Sequence, residues 1–154
     1  MTQATKAVEL KWLKLNPSAK MPAAQTSGAA CFDLCATIEG GEMTVNPGEV
    51  TLIPTGLAVE IPNGYEMQVR ARSGLSAKAG FALVNGIGTI DCDYRGELKI
   101  IGIVLGKNPL TIKTGDRIAQ ALISPVLQVT HTLAEKISET ERAAGGFGST
   151  GVST

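Results

Sequence analysis

Between Gly86 and Ile101 the chain reads G-I-G-T-I-D-C-D-Y-R-G-E-L-K-I-I, so two carboxylates, a phenol and a guanidinium fall between Asp91 and Arg95. Glycine-spaced apolar residues, a polar knot and then an apolar run predict a β-hairpin. Asp93 and Gly96 are accounted for by a turn, because aspartate bonds its own backbone and glycine takes dihedrals that other residues avoid. Tyr94 and Arg95 are not. Bare backbone at Gly86 and Gly88, an acid at Asp91 and a ring at Tyr94 are parts that could hold a small flat ligand.

Four further clusters put polar chemistry on apolar ground. Ala30-Cys31-Phe32-Asp33-Leu34 sets an acid in an apolar strand, and Arg72-Ser73-Gly74-Leu75-Ser76 sets a guanidinium, a hydroxyl and bare backbone at a strand end. Gly115-Asp116-Arg117-Ile118-Ala119-Gln120 opens a strand with a candidate ion pair, Asp116 with Arg117, and then an amide. Arg142-Ala143-Ala144-Gly145-Gly146-Phe147-Gly148-Ser149-Thr150-Gly151 combines an arginine, a phenyl ring and hydroxyls in a glycine-rich tail. Each has an ordinary structural explanation: Asp33 as a turn cap, Asp116 and Arg117 as a structural pair, Arg72 as a solvated charge, the tail as a flexible end. Taken together, arginines, hydroxyls, glycines and a carboxylate without a metal-ligand set suit a polyphosphate.

Other chemistries lack their parts. The one histidine, His131, would have to carry any Ser-His-Asp triad, and no G-x-S-x-G elbow occurs. Neither a G-x-x-x-x-G-K-[ST] loop nor a G-x-G-x-x-G strand-to-helix junction is present. Cys31 and Cys35 lie four apart and in a strand would share a face, where they read as small buried hydrophobes. Cys92 has no basic neighbour to make it a nucleophile.

The elements that must position these clusters are short strands. Val8 to Leu15, Ala29 to Ala36, Val50 to Pro54, Gly56 to Ile61, Tyr65 to Ala71, Leu98 to Leu105, Leu110 to Lys113, Arg117 to Ile123 and Val126 to Thr130 are expected strands. Turn signals such as Asn46-Pro47-Gly48, Pro62-Asn63-Gly64 and Thr114-Gly115-Asp116 separate them. The nearly all-apolar run from Leu98 to Leu105 predicts a strand buried on both faces. Ser73 to Lys78 has room for one helical turn, and Leu133 to Glu141 is an outside candidate for a helix. The pattern predicts an all-β sandwich or barrel.

With 154 residues, 44% of them hydrophobic and 18% charged, the chain is sized for one ordered domain. The 14 basic and 14 acidic residues cancel, so no overall field draws it to nucleic acid or a membrane surface. No run is long enough to span a membrane and no signal-peptide core is evident, which leads to the expectation of a cytoplasmic protein.

In order, spacing and wording, R-S-G-L-S, G-T-I-D-C-D-Y-R-G, G-D-R-I-A-Q and G-G-F-G-S-T-G resemble motifs of the trimeric deoxyuridine triphosphatases. The likeness runs from the first strand to the glycine-rich end. It implies a β jelly roll of residues 1–138 and a flexible arm of residues 139–154, assembled as a homotrimer with sites shared between subunits. It implies Mg²⁺-assisted hydrolysis of dUTP to dUMP and pyrophosphate, which limits uracil in DNA and supplies dUMP for thymidylate synthesis.

By the same resemblance Asp91 is the general base for a water attacking the α-phosphorus. Backbone near Asn85 and from Gly88 through Thr89 and Ile90 to Asp91 reads uracil, Tyr94 lies under the deoxyribose, and Lys99 borders the nucleoside. Arg72, Ser73, Gly74 and Gln120 bind phosphate; Phe147 stacks on the base, and Arg142, Gly148, Ser149 and Thr150 close with it over the triphosphate. Mg²⁺ is held by phosphates and water without a direct protein ligand, Asp33 touching its water shell indirectly. Two departures stand out: Ala143 where the motif usually has glycine, and Cys92 between the two acids. The rival identities are a dCTP deaminase, which shares the fold, and a non-catalytic nucleotide-binding jelly roll.

Overall fold

The computed structural model describes residues 7–146. Its elements are β1 (Lys11–Lys14), β2 (Phe32–Cys35), β3 (Glu42–Val45), β4 (Thr51–Pro54), β5 (Leu57–Glu60), β6 (Tyr65–Arg70), α1 (Ser73–Ala79), β7 (Phe81–Leu83), β8 (Gly88–Ile90), β9 (Lys99–Val104), β10 (Leu110–Lys113) and β11 (Arg117–Pro125). They form an antiparallel jelly roll. The largest ladders are ordered β2-β11-β6-β8 and β4-β9-β7, and β1-β5 and β3-β10 pair at the margins. Leu34, Ile53, Leu57, Met67, Phe81, Leu98, Ile100, Ile112 and Ile118 fill the space between them.

Turn chemistry sets the joints. Gly80 ends α1 at φ 67, and a Cβ there would meet the Gly106 nitrogen at 2.6 Å, so both conformation and space demand glycine. Gly102 lets two strands close over Phe81, whose ring lies 2.4 Å from where its Cβ would be.

The predicted hairpin from Gly86 to Ile101 does not form. Strand β8 pairs with β6, Val69 opposite Gly88 and Met67 opposite Ile90, whereas β9 lies between β4 and β7 in another ladder. The segment between β8 and β9 therefore crosses from sheet to sheet, turning where the Tyr94 N–H donates to the Asp91 carbonyl at 3.2 Å.

Four other expectations also change. Strand β9 is not buried on both faces: Ile100, Gly102 and Val104 point inward, while Ile101 and Ile103 are half-buried and Lys99 is exposed. Residues 126–130 form no strand: the Val126 N–H donates to Gly64, after which the chain has no partner strand among the described residues. No helix forms between Leu133 and Glu141 either. Cys35 is buried in β2, but Cys31 precedes the strand and is only half-buried. Composition alone did not single out β3 and β7, since β3 carries Glu42 and Thr44 and β7 has three residues.

Candidate active site

Two cavities gather most of the residues singled out above. The first, about 400 Å³, is lined by Thr89, Ile90, Asp91, Tyr94 and Lys99, with Leu52, Glu97, Leu98 and Ile101. The second, about 210 Å³, is lined by Asp33, Arg72, Ser73, Gly74 and Gln120, with Gln25, Ala29 and Cys31. Asn85 borders neither, but its amide sits 3.2 Å from where a Gly88 Cβ would lie.

The larger cavity is built on β8 and the crossing that follows it. Because β8 is the last strand of its ladder, its outer edge has no partner strand among the described residues. Peptide donors and acceptors along such an edge can pair with a ligand as another strand would. Asp91 follows immediately, exposed, on a ridge between this cavity and another lined by Tyr65, Glu66, Cys92 and Asp93. The Tyr94 ring is folded back so that its hydroxyl donates to the Glu97 carbonyl at 3.0 Å. Only glycine at position 96 permits this, because a Cβ would lie 2.4 Å from the phenol oxygen. Arg95 turns away and caps the Cys92 and Tyr94 carbonyls at 2.7 and 3.0 Å.

The smaller cavity is an arginine cleft organised by one acid. Asp33 is only 8% exposed, and its carboxylate meets Arg72 Nε at 3.0 Å and Arg117 Nη1 at 3.1 Å. Arg72 Nη1 also donates to the Arg117 carbonyl at 2.8 Å. Asp33 is thus no turn cap, and Arg72 is no free surface charge. Nor do Asp116 and Arg117 pair with each other: Asp116 Oδ2 accepts the Lys113 N–H at 2.8 Å and closes the turn before β11. Asp116 lies in the turn before β11, whereas Arg117 opens the strand opposite Cys35, on the β2 strand that carries Asp33. Gln120 lies opposite Asp33 in the ladder and donates to the Ala71 carbonyl at 2.9 Å.

The structure does not bring Arg142 to either cavity; its Nε donates to the Gly145 carbonyl at 2.9 Å. Ala143, beside it, takes φ 43, the one non-glycine residue with positive φ among the described residues. Phe147, Gly148, Ser149 and Thr150 lie outside the described residues.

Motif reading missed Glu97, which touches both Tyr94 and Lys99, and the apolar wall of Leu52, Leu98 and Ile101. Their only signal was position: Leu52 pairs with Ile101 across β4 and β9, on the outward face of a ladder that sequence alone buries.

Among the described residues no three His, Cys, Asp or Glu side chains are placed to hold a metal ion. A strand edge next to a carboxylate, with an arginine cleft elsewhere on the same jelly roll, suits a nucleotide, and the described residues offer no metal cage. Comparison with known proteins narrows the class. The dUTPase family model matches residues 17–151. Over 149 residues the chain is 50% identical to the deoxyuridine 5'-triphosphate nucleotidohydrolase of Desulfotalea psychrophila, covering 96% of this chain and 99% of that one. The enzyme of the same name from Caldanaerobacter subterraneus subsp. tengcongensis is 54% identical over 132 residues, 86% of this chain and 88% of that one. The fold superposes on the Staphylococcus bacteriophage 80alpha dUTPase with bound dUPNHPP at a TM-score of 0.83 and 27% identity, covering 94% of this chain and 99% of that one. The chain belongs to the dUTPase family.

Proposed function

We propose that the chain hydrolyses dUTP to dUMP and pyrophosphate at sites completed by neighbouring copies of itself. One observation carries the reading: Asp91 opens onto the same cavity as the free edge of β8 and the Tyr94 ring, while the cations suited to a triphosphate line a separate cleft. A nucleotide needs both. Joining one protomer's nucleoside cavity to another's arginine cleft supplies them.

Two surfaces support a homotrimer. Leu52, Ile101 and Ile103 leave an apolar outer face on the β4-β9-β7 ladder, of a kind that soluble chains cover. Beyond Pro125, Leu127, Val129, Leu133 and Ile137 are all exposed, so this extended segment fits a chain that packs on a neighbour. The arm proper begins near residue 139, bringing Arg142, Phe147, Gly148, Ser149 and Thr150 over a site it does not itself build.

In the reaction Asp91 accepts a proton from a water whose oxygen bonds to the α-phosphorus. The bond from that phosphorus to the oxygen bridging to the β-phosphorus breaks, and pyrophosphate leaves. The protein's contribution is placement and charge neutralisation. Arg72, Ser73, Gly74 and Gln120 take the phosphates. Mg²⁺ brought in with the substrate would be held by the phosphates and water and would neutralise charge, and Asp33, already paired with two arginines, would meet it only through water.

Uracil presents an acceptor at O4 and a donor at N3, and cytosine reverses both. The edge from Gly88 to Asp91, with Asn85 beside it, pairs with the first and leaves groups unpaired against the second, at about 1–3 kcal/mol each. Tyr94 lies beneath the deoxyribose and excludes a 2′-hydroxyl; Lys99, which lines the same cavity, borders the nucleoside.

Pyrophosphate release from dUTP with Mg²⁺, measured beside dCTP, dTTP and UTP, tests the proposal. Turnover of dUTP alone is expected. Ammonia from dCTP, or dUTP binding without release, overturns it. The product, dUMP, serves thymidylate synthesis, and the loss of dUTP keeps uracil out of DNA.

A further inference from the structure

Glu97 holds three parts of the nucleoside cavity together. Its Oε1 accepts the Gly56 N–H at 2.9 Å, its main-chain carbonyl accepts the Tyr94 hydroxyl at 3.0 Å, and its Oε2 lies 3.6 Å from Lys99 Nζ. The anchor at Gly56 is stiff. Gly56 takes φ +67, its Cβ position is crowded by Thr37, Ala19 and Asn16 at 3.0–3.1 Å, and its carbonyl accepts the Leu15 N–H at 2.8 Å. The carboxylate side chain is 24% exposed, so the bond to Gly56 is sheltered, whereas the Lys99 ammonium is 48% exposed and its attraction is weak.

The segment carrying Tyr94 is otherwise a crossing between sheets with no ladder of its own. The phenol is held at the Glu97 carbonyl, whose peptide group is tied on one side by the Leu98 N–H donating to the Leu57 carbonyl at 2.8 Å and on the other by the Glu97 side chain accepting from Gly56. We propose that Glu97 is a positioning residue for sugar discrimination, pinning the Tyr94 ring where a 2′-hydroxyl would collide. This rests on the reading of the cavity as the deoxynucleoside site.

The measurement is the ratio of kcat/KM for dUTP to that for UTP, which does not depend on the fraction of enzyme folded. Glu97→Ala is expected to lower the ratio about tenfold, mostly through a higher KM for dUTP and a lower one for UTP. Glu97→Gln keeps an oxygen acceptor for the Gly56 N–H and is expected to restore the ratio to within about twofold of the parent. Tyr94→Phe, which keeps the ring but drops its hold on residue 97, should lower the ratio similarly. Adding Glu97→Ala to it should cost nothing further. An unchanged ratio in Glu97→Ala, equal losses in the Ala and Gln variants, or fully additive losses in the double variant overturns the proposal. Failure of the unaltered chain to turn over dUTP would instead remove the site reading beneath it.

Discussion

Asp33 and Arg72 meet at 3.0 Å, the acid nearly buried and the guanidinium about a quarter exposed. Arg117 closes on the other carboxylate oxygen, so two cations share one anion and the cleft keeps a surplus positive charge for a ligand. Asp33→Ala leaves both arginines uncompensated. It should lower unfolding stability by about 3 kcal/mol, the low end for breaking a buried pair because both arginines reach solvent. The urea midpoint at constant slope checks this.

Asp91 is exposed and lines the larger cavity, so its carboxylate does little for the fold. Asp91→Asn should keep binding of a non-hydrolysable dUTP analogue within about threefold and lower kcat roughly 10³-fold. Calorimetry and pyrophosphate release read the two quantities separately. Tight binding with full turnover would exclude the residue as the base.

Gly96 gives way to the Tyr94 phenol, which lies 2.4 Å from any added Cβ. Gly96→Ala should swing the ring out and break its bond to Glu97. KM for dUTP should rise about tenfold with a much smaller change in kcat. Steady-state kinetics checks this.

Burial pushes the Cys35 thiol above its ordinary pKa. The unfolded chain then loses that proton first as pH rises, so the associated stability is intact below roughly pH 8.5 and declines above it, toward the folded pKa. Cys35→Ala should flatten the alkaline fall in Tm between pH 8 and 10. At pH 8 the parent Cys35 should alkylate more slowly than half-buried Cys31.

A chain ending at Glu141 should fold and assemble, because regular structure among the described residues ends at Pro125. Hydrolysis should fall on the order of 10²-fold for want of closure over the triphosphate. Circular dichroism, sizing and pyrophosphate release together decide it. Full activity would detach the arm from the reaction.

The strands that sequence located well are those whose alternation answers a single core, such as β6, with Met67 and Val69 inward. It failed where a residue's partner lies far along the chain. Nothing near Leu98 to Leu105 tells that every second residue faces outward, because the outward residues are apolar as well. Likewise Arg117 sits beside Asp116 in sequence but pairs with Asp33, which the pairing of β11 with β2 brings alongside. Motif wording brought out Asp91, Tyr94 and Arg72. It passed over Glu97, whose role rests on a bond to Gly56, forty-one positions away.

Strand β8 ends its ladder among the described residues, and Thr89 and Ile90 on it line the larger cavity. Under the proposed main-chain readout, base preference cannot be edited by exchanging Thr89 or Ile90, since every residue but proline carries the same amide hydrogen and carbonyl. A switch toward another pyrimidine would then demand a slipped register against β6, which would turn Gly88 and Ile90 to the opposite face of the ladder. On that proposal, fidelity for the base is tied to the integrity of the barrel itself.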